Sequence, residues 1–503
     1  MPQVVLAIDQ GTTGTTVFVV DGRGRIRGRA YAEVRQFYPK PGWVEHDPEE
    51  IYRSVIALSK KAIAQSKVGA DAIKAVGITN QRETFVVWDR RSGKPIHRAI
   101  VWQCRRSAAI CDVLRDRESE VIERTGLIVD PYFSGTKLKW LLDEKPELRR
   151  RAARGELCFG TIDTWLIYKL TRGAGFVTDY TNASRTMMFN LARMEWDDEM
   201  LAMLEVPREM LPAAVSSRGP LAETLPGMIA ARAIPIGAVI GDQQSALFGQ
   251  GAVDAGDSKA TYGTGAFLLM NTGDKIVRSR NRLLTTAALG PEGEPCYALE
   301  GSVFIAGAAV QWLRDGLKLI RNAADSERAA RLSRDRSTPY VVPAFVGLGA
   351  PHWDSGAKGA ILGITRGTTR ADIVRATLDS IAYQVRDVIV AMESDTGHPL
   401  SELRAAGGAT ENRYLMQFQA DILGKRVRRA KVIETTAMGA AMLAGLAAGI
   451  WQSQQQLTRL HRGSALFKPK MQAAEREQLL AGWHDAVSRV LTTNARAIEE
   501  SHA

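Results

Sequence analysis

The first 34 positions contain three short apolar runs separated by turn residues. Residues 4–8 and 17–20 are rich in β-branched side chains, which is typical of buried strands. Positions 9–16 between them are mostly glycine and threonine, and the turn Gly22-Arg23-Gly24 precedes a third run at 26–34. The pattern predicts that the chain begins as a three-strand meander.

A helix is predicted after this meander. Asp47-Pro48-Glu49-Glu50 supplies an N-cap, a proline at the first helical position and a carboxylate three residues after the cap. Apolar residues at helical spacing then continue through Ile63. Residues 72–79 and 84–89 return as apolar runs of strand length, so the chain is predicted to form an α/β layered fold.

The second half of the chain repeats this plan. Residues 258–271 again form a strand pattern, a threonine and glycine loop and a second strand pattern. Further strands are predicted at 283–288 and 296–301, and helices at 307–320 and at 372–392, the latter behind a capping box that starts at Thr369. The repetition predicts a duplicated domain with a hinge in the glycine-spaced segment 248–256, which divides the chain into residues 1–249 and 250–503.

The loop in each half has the composition of a phosphate-binding loop. Gly11 and Gly14 can expose backbone N–H groups, and the neighbouring threonine hydroxyls add donors that suit phosphate oxygens. Asp9 at the strand end could hold a hydrated cation against those phosphates. An ordinary hairpin turn is the alternative for one such loop, but a second loop in the other half favours two phosphate loops facing each other across a cleft.

Composition and charge exclude several other classes of protein. Hydrophobic residues make up 45% of the 503 positions, which is enough for large cores. The net charge of +11 raises the question of nucleic acid, but the basic clusters at 149–154 and 425–431 lack interleaved aromatic residues. We therefore expect no nucleic-acid partner, and a basic surface would favour an anionic nucleotide.

Cysteine usage and the apolar segments indicate a cytoplasmic protein. The four cysteines contain no C-x-x-C pair and the seven histidines are scattered, which argues against a zinc site or a disulfide framework. Residues 437–450 are apolar but too short to cross a bilayer and contain three glycines, so we interpret them as a closely packed helix and expect no membrane insertion. No secretory signal pattern is visible, and a homodimer or homotetramer is expected.

Seven sequence blocks carry a specific resemblance. The chain has no Walker A loop and no well-placed G-x-G-x-x-G, which disfavours the two commoner nucleotide folds. The blocks are AIDQGTT from Ala7, TNQRET from Thr79, PYFSGTK from Pro131, TNASRT from Thr181, GDQQ from Gly241, TYGTG from Thr261 and GGA from Gly407. In this order they resemble the FGGY family of carbohydrate kinases, from residue 4 to about residue 449.

The resemblance implies a fold, a reaction and a set of site residues. The implied fold is α/β, with duplicated actin-like, ribonuclease H-like ATPase domains around a cleft. The implied reaction is ATP-dependent phosphorylation of glycerol with Mg²⁺, and Asp242 is the implied general base. The implied glycerol-binding residues are Arg82, Glu83, Trp102, Tyr132, Asp242, Gln243 and Phe267. The implied ATP-binding residues are Thr12, Thr13, Gly14, Thr264, Gly307, Gln311, Gly408 and Asn412. The implied metal ligands are Asp9 and Asp242.

Other interpretations of these residues stay open. An adjacent Arg82-Glu83 is more often a surface ion pair, isolated aromatic residues are usually core, and Gly307 could serve helix packing. Many relatives carry an arginine at the position of Thr16, so the phosphate pocket loses a cation here. A related kinase for another small polyol or ketopentose, or an actin-like nucleotide-gated binding module, remains the alternative function.

Overall fold

Two large mixed sheets organise the chain in its computed structural model. The structure describes residues 3–333, 337–354, 356–431, 434–461 and 464–492. The first sheet contains the amino-terminal meander and the second contains its counterpart from the second half of the chain. Each sheet is covered by helices, as an α/β fold requires.

The first sheet has six strands, and its centre is the hairpin that the apolar pattern predicts. Val4–Gln10 pairs antiparallel with Gly14–Asp21 on one side and parallel with Ile73–Asn80 on the other. The connecting loop is residues 11–13 alone, shorter than predicted, because Thr16 and Asp9 already pair across the ladder. In spatial order the strands are Arg218–Glu223, Pro235–Gly241, Ile73–Asn80, Val4–Gln10, Gly14–Asp21 and Ile26–Glu33.

The second sheet repeats this arrangement. Its first strand, Ser258–Tyr262, again lies between an antiparallel hairpin partner and a parallel strand that comes later in the chain. In spatial order the strands are Leu284–Leu289, Pro295–Val303, Ala266–Gly273, Ser258–Tyr262, Glu402–Ala406, Arg426–Arg429 and Ala465–Phe467. The predicted duplication is therefore present in the strand order of the two sheets.

Smaller sheets complete the β-structure. The predicted strand at 84–89 forms as Phe85–Asp89, but it lies outside the first large sheet. It belongs to a sheet of five strands, which in spatial order are Gln36–Phe37, Glu45–His46, Ala99–Ile100, Phe85–Asp89 and Leu157–Thr161. Three two-stranded sheets pair Val177–Asp179 with Ala213–Val215, Phe189–Asn190 with Glu195–Trp196, and Tyr340–Val342 with Ala360–Leu362.

The helix caps that the sequence predicts are formed. The Asp47 carboxylate accepts the N–H groups of Glu49 and Glu50, and both hydrogen bonds of the capping box at Thr369 are present. The helices of the first half are Pro48–Ser66, Ala108–Leu114, Glu118–Thr125, Ser134–Glu144, Pro146–Ala153, Ile162–Leu170, Tyr180–Ala183, Asp198–Leu204 and Asp242–Gly249. Those of the second half are Gly307–Gln311, Asp325–Leu332, Arg370–Thr396, Arg413–Leu423, Thr435–Ala447, Gln454–Thr458 and Ala473–Ser488.

One predicted helix is wrong in its extent. The pattern at 307–320 gives an α-helix only over Gly307–Gln311, and a π-helical turn, Trp312–Gly316, follows it. The Leu317 N–H donates to the Trp312 carbonyl, five residues earlier, so the regular i to i−4 bonding is lost there. Apolar spacing alone could not show this change of hydrogen-bond pattern.

The glycine-rich helix Thr435–Ala447 packs on the first sheet, although it comes late in the chain. A Cβ on Gly439 would lie 1.9 Å from the Ser245 carbonyl oxygen, and a Cβ on Gly249 would lie 2.3 Å from the Thr435 carbonyl oxygen. Close packing, and not hinge freedom, therefore explains Gly249. A domain boundary at residue 249 stays a prediction. The helix Thr435–Ala447 belongs to the second half of the chain but packs on the sheet of the first half.

Two further features bear on the setting of the site. All four cysteines are free and buried. Among the helices of the described residues, none is both long enough and apolar enough to cross a membrane.

Candidate active site

Each of the two predicted phosphate loops is closed by a backbone hydrogen bond between two glycines. In the first loop the Gly11 N–H donates to the Gly14 carbonyl at 2.9 Å, and in the second the Gly263 N–H donates to the Gly265 carbonyl at 2.8 Å. Each loop follows the first strand of its half, so the duplication extends to the loops. Thr13 and Thr264, both predicted to contact phosphate, are exposed in their loops.

The two aromatic residues predicted for the substrate wall, Trp102 and Phe267, are adjacent to each other, and Trp102 is also adjacent to Tyr132, which is predicted to bind a substrate hydroxyl. The ring centroid of Trp102 lies 5.4 Å from that of Tyr132 and 6.4 Å from that of Phe267. The Trp102 indole also donates to the Thr12 hydroxyl at 2.8 Å, and Phe267 follows the second loop. The aromatic wall therefore connects the two phosphate loops.

Arg82 is the centre of a buried polar cluster beside this wall. Its guanidinium donates to both carboxylate oxygens of Glu300, at 2.6 and 3.1 Å, and to Gln244 at 3.3 Å. Its Nε lies 3.1 Å from Asp242 Oδ1. Since Arg82 is only 2% exposed, the surface ion pair with its neighbour that the sequence left open is excluded.

Glu83 continues the cluster through a second buried arginine. Its backbone has a φ of +62°, a strained value for a residue other than glycine, and Oε1 of its carboxylate accepts from Arg185 at 2.7 Å. Arg185 in turn donates to Glu300 at 3.0 Å. The four side chains form a closed network that joins the first half of the chain to a strand of the second.

Arg185 and Glu300 belong to the site but are not among the residues that the sequence predicts for it. Arg185 lies in the TNASRT block, and the motif assigns no role to its arginine. Glu300 is an isolated charge in the apolar strand Pro295–Val303, and a charge in such a strand is the sequence feature that could have indicated a site residue. Burial alone would raise the pKa of Glu300, but the charges of Arg185 and Arg82 outweigh it and lower that pKa to about 2.

The charge of one predicted metal ligand acts on the other. Burial, together with the charge of Asp242, raises the pKa of Asp9 to about 7. No group of three or more histidine, cysteine, aspartate or glutamate side chains suited to a metal occurs among the described residues. Two carboxylates without a third protein ligand fit Mg²⁺, which usually takes one or two carboxylates and completes its shell with phosphate and water.

All four residues predicted at the adenosine end line one cavity of about 340 Å³. They are Gly307, Gln311, Gly408 and Asn412. The Asn412 side chain also caps the helix Arg413–Leu423 by accepting the Leu415 N–H at 3.0 Å, so it has a structural task as well. Tyr262 and Leu415 also line this cavity and are not among the predicted site residues. Tyr262 lies in the TYGTG block, whereas Leu415 lies in none of the seven blocks.

A side chain would have a different effect at each glycine of the predicted nucleotide site. A Cβ on Gly408 would meet nothing within 4 Å, so space toward the cavity is kept open there. A Cβ on Gly307 would lie 2.5 Å from the Gly263 carbonyl oxygen, and one on Gly14 would lie 2.4 Å from the Tyr31 ring. Close packing against the backbone therefore accounts for Gly307 and supports the packing alternative there, whereas Gly14 faces only the outer end of the Tyr31 side chain, which is half exposed.

Comparison with known proteins adds to this geometry. The model of the N-terminal domain of the FGGY family of carbohydrate kinases matches residues 4–249, and the model of its C-terminal domain matches residues 258–448. This chain belongs to the FGGY carbohydrate kinase family. The resemblance inferred from the seven blocks and the two-domain α/β fold expected from it are thereby confirmed.

Curated relatives of this FGGY chain align over nearly its whole length. The chain is 55% identical over 487 residues to a glycerol kinase of Carboxydothermus hydrogenoformans, covering 96% of this chain and 97% of that protein. It is also 55% identical over 489 residues to glycerol kinase 2 of Thermotoga maritima, covering 97% and 98%.

Solved structures of the family superpose on the whole chain. The Plasmodium falciparum glycerol kinase with ADP has a TM-score of 0.92 and 38% identity, and the alignment covers 98% of this chain and 99% of that one. A ligand-bound xylulose kinase of Lactobacillus acidophilus has a TM-score of 0.86 at 21% identity, with 97% and 98% covered. The second similarity shows the fold alone.

Proposed function

We propose that the chain transfers the γ-phosphoryl group of ATP to a primary hydroxyl of glycerol and so yields sn-glycerol 3-phosphate and ADP. The observation that carries the proposal is the 55% identity to curated glycerol kinases over almost the entire chain. The neighbouring structure with ADP supports an adenine nucleotide as the phosphoryl donor.

The polar cluster supports a small polyol as acceptor. Glycerol is uncharged and carries three hydroxyls, so its pocket needs donors and acceptors beside an apolar wall. Glu83 keeps Oε2 without a hydrogen bond among the described residues, which leaves an acceptor for a substrate hydroxyl. We assign hydroxyl binding to Arg82, Glu83, Tyr132, Asp242 and Gln243, and the carbon-facing wall to Trp102 and Phe267.

Asp242 is the proposed general base. Its Oδ1 accepts the Gln243 N–H at 2.7 Å, whereas Oδ2 makes no hydrogen bond within the part of the chain that is described. The polyol oxygen attacks the γ-phosphorus while the bond to the bridging oxygen of ADP breaks, and the hydroxyl proton passes to Asp242. Such a base contributes about 10²- to 10⁴-fold, and positioning and charge neutralisation supply the larger share.

The nucleotide is assigned to the two loops and the cavity. Thr12, Thr13, Gly14 and Thr264 bind the phosphates, and Gly307, Gln311, Gly408 and Asn412 line the adenosine end. Mg²⁺ bound through Asp9 and Asp242 would supply neutralisation of phosphate charge. A cytoplasmic homodimer or homotetramer stays a prediction, which light scattering and cell fractionation would test.

The decisive experiment measures ADP release by a coupled assay with glycerol, dihydroxyacetone, xylulose and ribulose in parallel. We expect the highest kcat/KM with glycerol and a fall of about 10²-fold or more in kcat for Asp242→Asn. Preference for xylulose or ribulose would show that the chain is a related kinase for a ketopentose and not for glycerol. ADP release that no polyol stimulates would favour the actin-like binding module.

A further inference from the structure

A buried lysine without a role in the proposed reaction lies beside the substrate cluster. Lys259 belongs to the strand Ser258–Tyr262, and its side chain is fully buried. Its ammonium donates to Gln243 Oε1 at 2.6 Å, to the Thr261 hydroxyl at 3.1 Å and to the Phe267 carbonyl at 3.1 Å. Two of these three partners belong to residues assigned above to glycerol.

The contact with Lys259 decides which end of the Gln243 amide is free. While Lys259 is protonated, its ammonium can donate hydrogen bonds but cannot accept them, so in this form the amide atom 2.6 Å from it is the carbonyl oxygen. The Nε2 group then lies on the other side of the amide and has no hydrogen bond among the described residues. Gln243 is partly exposed while Lys259 is buried, so the free N–H groups belong to the cleft side.

The charges around Lys259 show how a buried ammonium is tolerated there. Burial lowers the pKa of Lys259 to about 7, the carboxylates of Glu300 and Asp242 raise it, and the guanidinium of Arg82 lowers it. The three hydrogen bonds compensate part of the cost of burial. A strand residue needed only for packing would not require this compensation, since an apolar side chain of similar size could fill the same space.

We propose that Lys259 is a positioning residue for polyol recognition: it holds the Gln243 carbonyl and the backbone at Phe267, so that Gln243 presents only N–H donors to a substrate oxygen. This inference rests on the glycerol phosphorylation proposed above. Without Lys259 the Gln243 amide is free to rotate and offer its carbonyl, which cannot donate to a hydroxyl oxygen. The proposal therefore concerns binding of the acceptor and not of the nucleotide.

A double-mutant cycle tests this coupling through kinetics. Lys259→Met should raise KM for glycerol about tenfold and leave KM for ATP within about twofold, because one oriented hydrogen bond is lost on the acceptor side. In the Gln243→Ala background the same substitution should change KM for glycerol less than about twofold, since the amide that Lys259 orients is absent. Lys259→Gln, whose amide can still donate to Oε1, should restore part of the affinity for glycerol.

Lys137 provides a matched control. It is also fully buried, and its ammonium donates to the backbone carbonyls of Pro131, Tyr132 and Phe133. Lys137→Met removes a similar number of buried hydrogen bonds but has no hydrogen bond to Gln243 to lose. Its effect on KM for glycerol should therefore multiply with that of Gln243→Ala.

Three results would overturn the proposal. They are multiplicative effects of Lys259→Met and Gln243→Ala, equal increases in KM for glycerol and ATP, and no difference between Lys259→Met and Lys259→Gln while both are folded by circular dichroism. A wild-type protein that phosphorylates no glycerol would instead refute the proposed function, so the two failures can be told apart.

Discussion

Replacing Glu300 by glutamine should lower the free energy of unfolding by about 3–5 kcal/mol, because it leaves a buried charge uncompensated. Glu300 accepts three hydrogen bonds, two from Arg82 and one from Arg185. The network therefore contains two arginine cations and the two carboxylates of Glu300 and Glu83, and each of the four side chains is at most 2% exposed. In the variant, the two buried guanidinium groups keep one buried carboxylate, that of Glu83, and the partly exposed carboxylate of Asp242, 3.1 Å from Arg82 Nε, is the remaining anion beside them.

The lowered pKa of Glu300 makes its contribution to stability depend on pH. Although burial favours the neutral acid, the charges of Arg185 and Arg82 lower the pKa of Glu300 from 4.5 to about 2. This difference corresponds to ~3 kcal/mol at neutral pH. Because the pKa is lower in the folded state, the contribution is complete above pH 4.5 and is lost as the pH falls toward 2. Glu300→Gln should therefore lack this part of the acid destabilisation of the wild type.

Urea unfolding followed by circular dichroism at pH 7.5 and at pH 3 measures both effects. Glu156→Gln is the matched control, since Glu156 also pairs with two arginines, Arg151 and Arg154, but on the surface. We expect this control to unfold like the wild type. A loss of less than about 1 kcal/mol for Glu300→Gln at pH 7.5 would show that the network does not balance charge as we describe.

Three further predictions concern the nucleotide side of the site. Gly408→Ala should raise KM for ATP about tenfold without changing the unfolding temperature, because its Cβ enters open space. Gly307→Ala should also lower the unfolding temperature, because its Cβ would lie 2.5 Å from a carbonyl oxygen. Equal unfolding temperatures of the two variants would contradict this. Since burial and Asp242 raise the pKa of Asp9 to about 7, its ionisation weakens the folded state as the pH rises from about 4 to 7. Asp9→Asn should therefore stabilise the Mg²⁺-free protein by up to about 4 kcal/mol at pH 8 and hardly at pH 4, with loss of kinase activity; stabilisation independent of pH would argue against the assignment. Thr16→Arg should lower KM for ATP severalfold by adding a cation opposite Asp9, and an unchanged KM would show that the pocket needs none.

Local sequence signals predicted the elements that depend on neighbouring residues. The hairpin around Gly11, with a shorter loop than predicted, the cap at Asp47 and the capping box at Thr369 all form, because each uses hydrogen bonds within a few positions of the chain. The same signals placed the end of the helix after Gly307 too late. That end depends on a π-helical turn at Trp312, which leaves no periodic signature.

Most of the candidate site residues could be named from motifs. The aromatic contacts of Trp102 with Tyr132 and Phe267, and the cavity shared by the four adenosine residues, agree with that grouping. The residues that orient the site could not be named. Glu300 looks like an isolated charge in a strand, and its partner Arg82 lies 218 positions earlier.

The sequence by itself determined the duplicated order of strands, the two glycine and threonine loops and the family to which the chain belongs. Each of these features depends on short runs of neighbouring residues. Only the tertiary structure decided that Arg82, Arg185 and Glu300 share one buried network and that Lys259 fixes the Gln243 amide. It also placed Thr435–Ala447 on the first sheet. Such contacts form only when the two halves of the chain come together, and the partners of a buried charge are then set by this packing and not by their order along the chain.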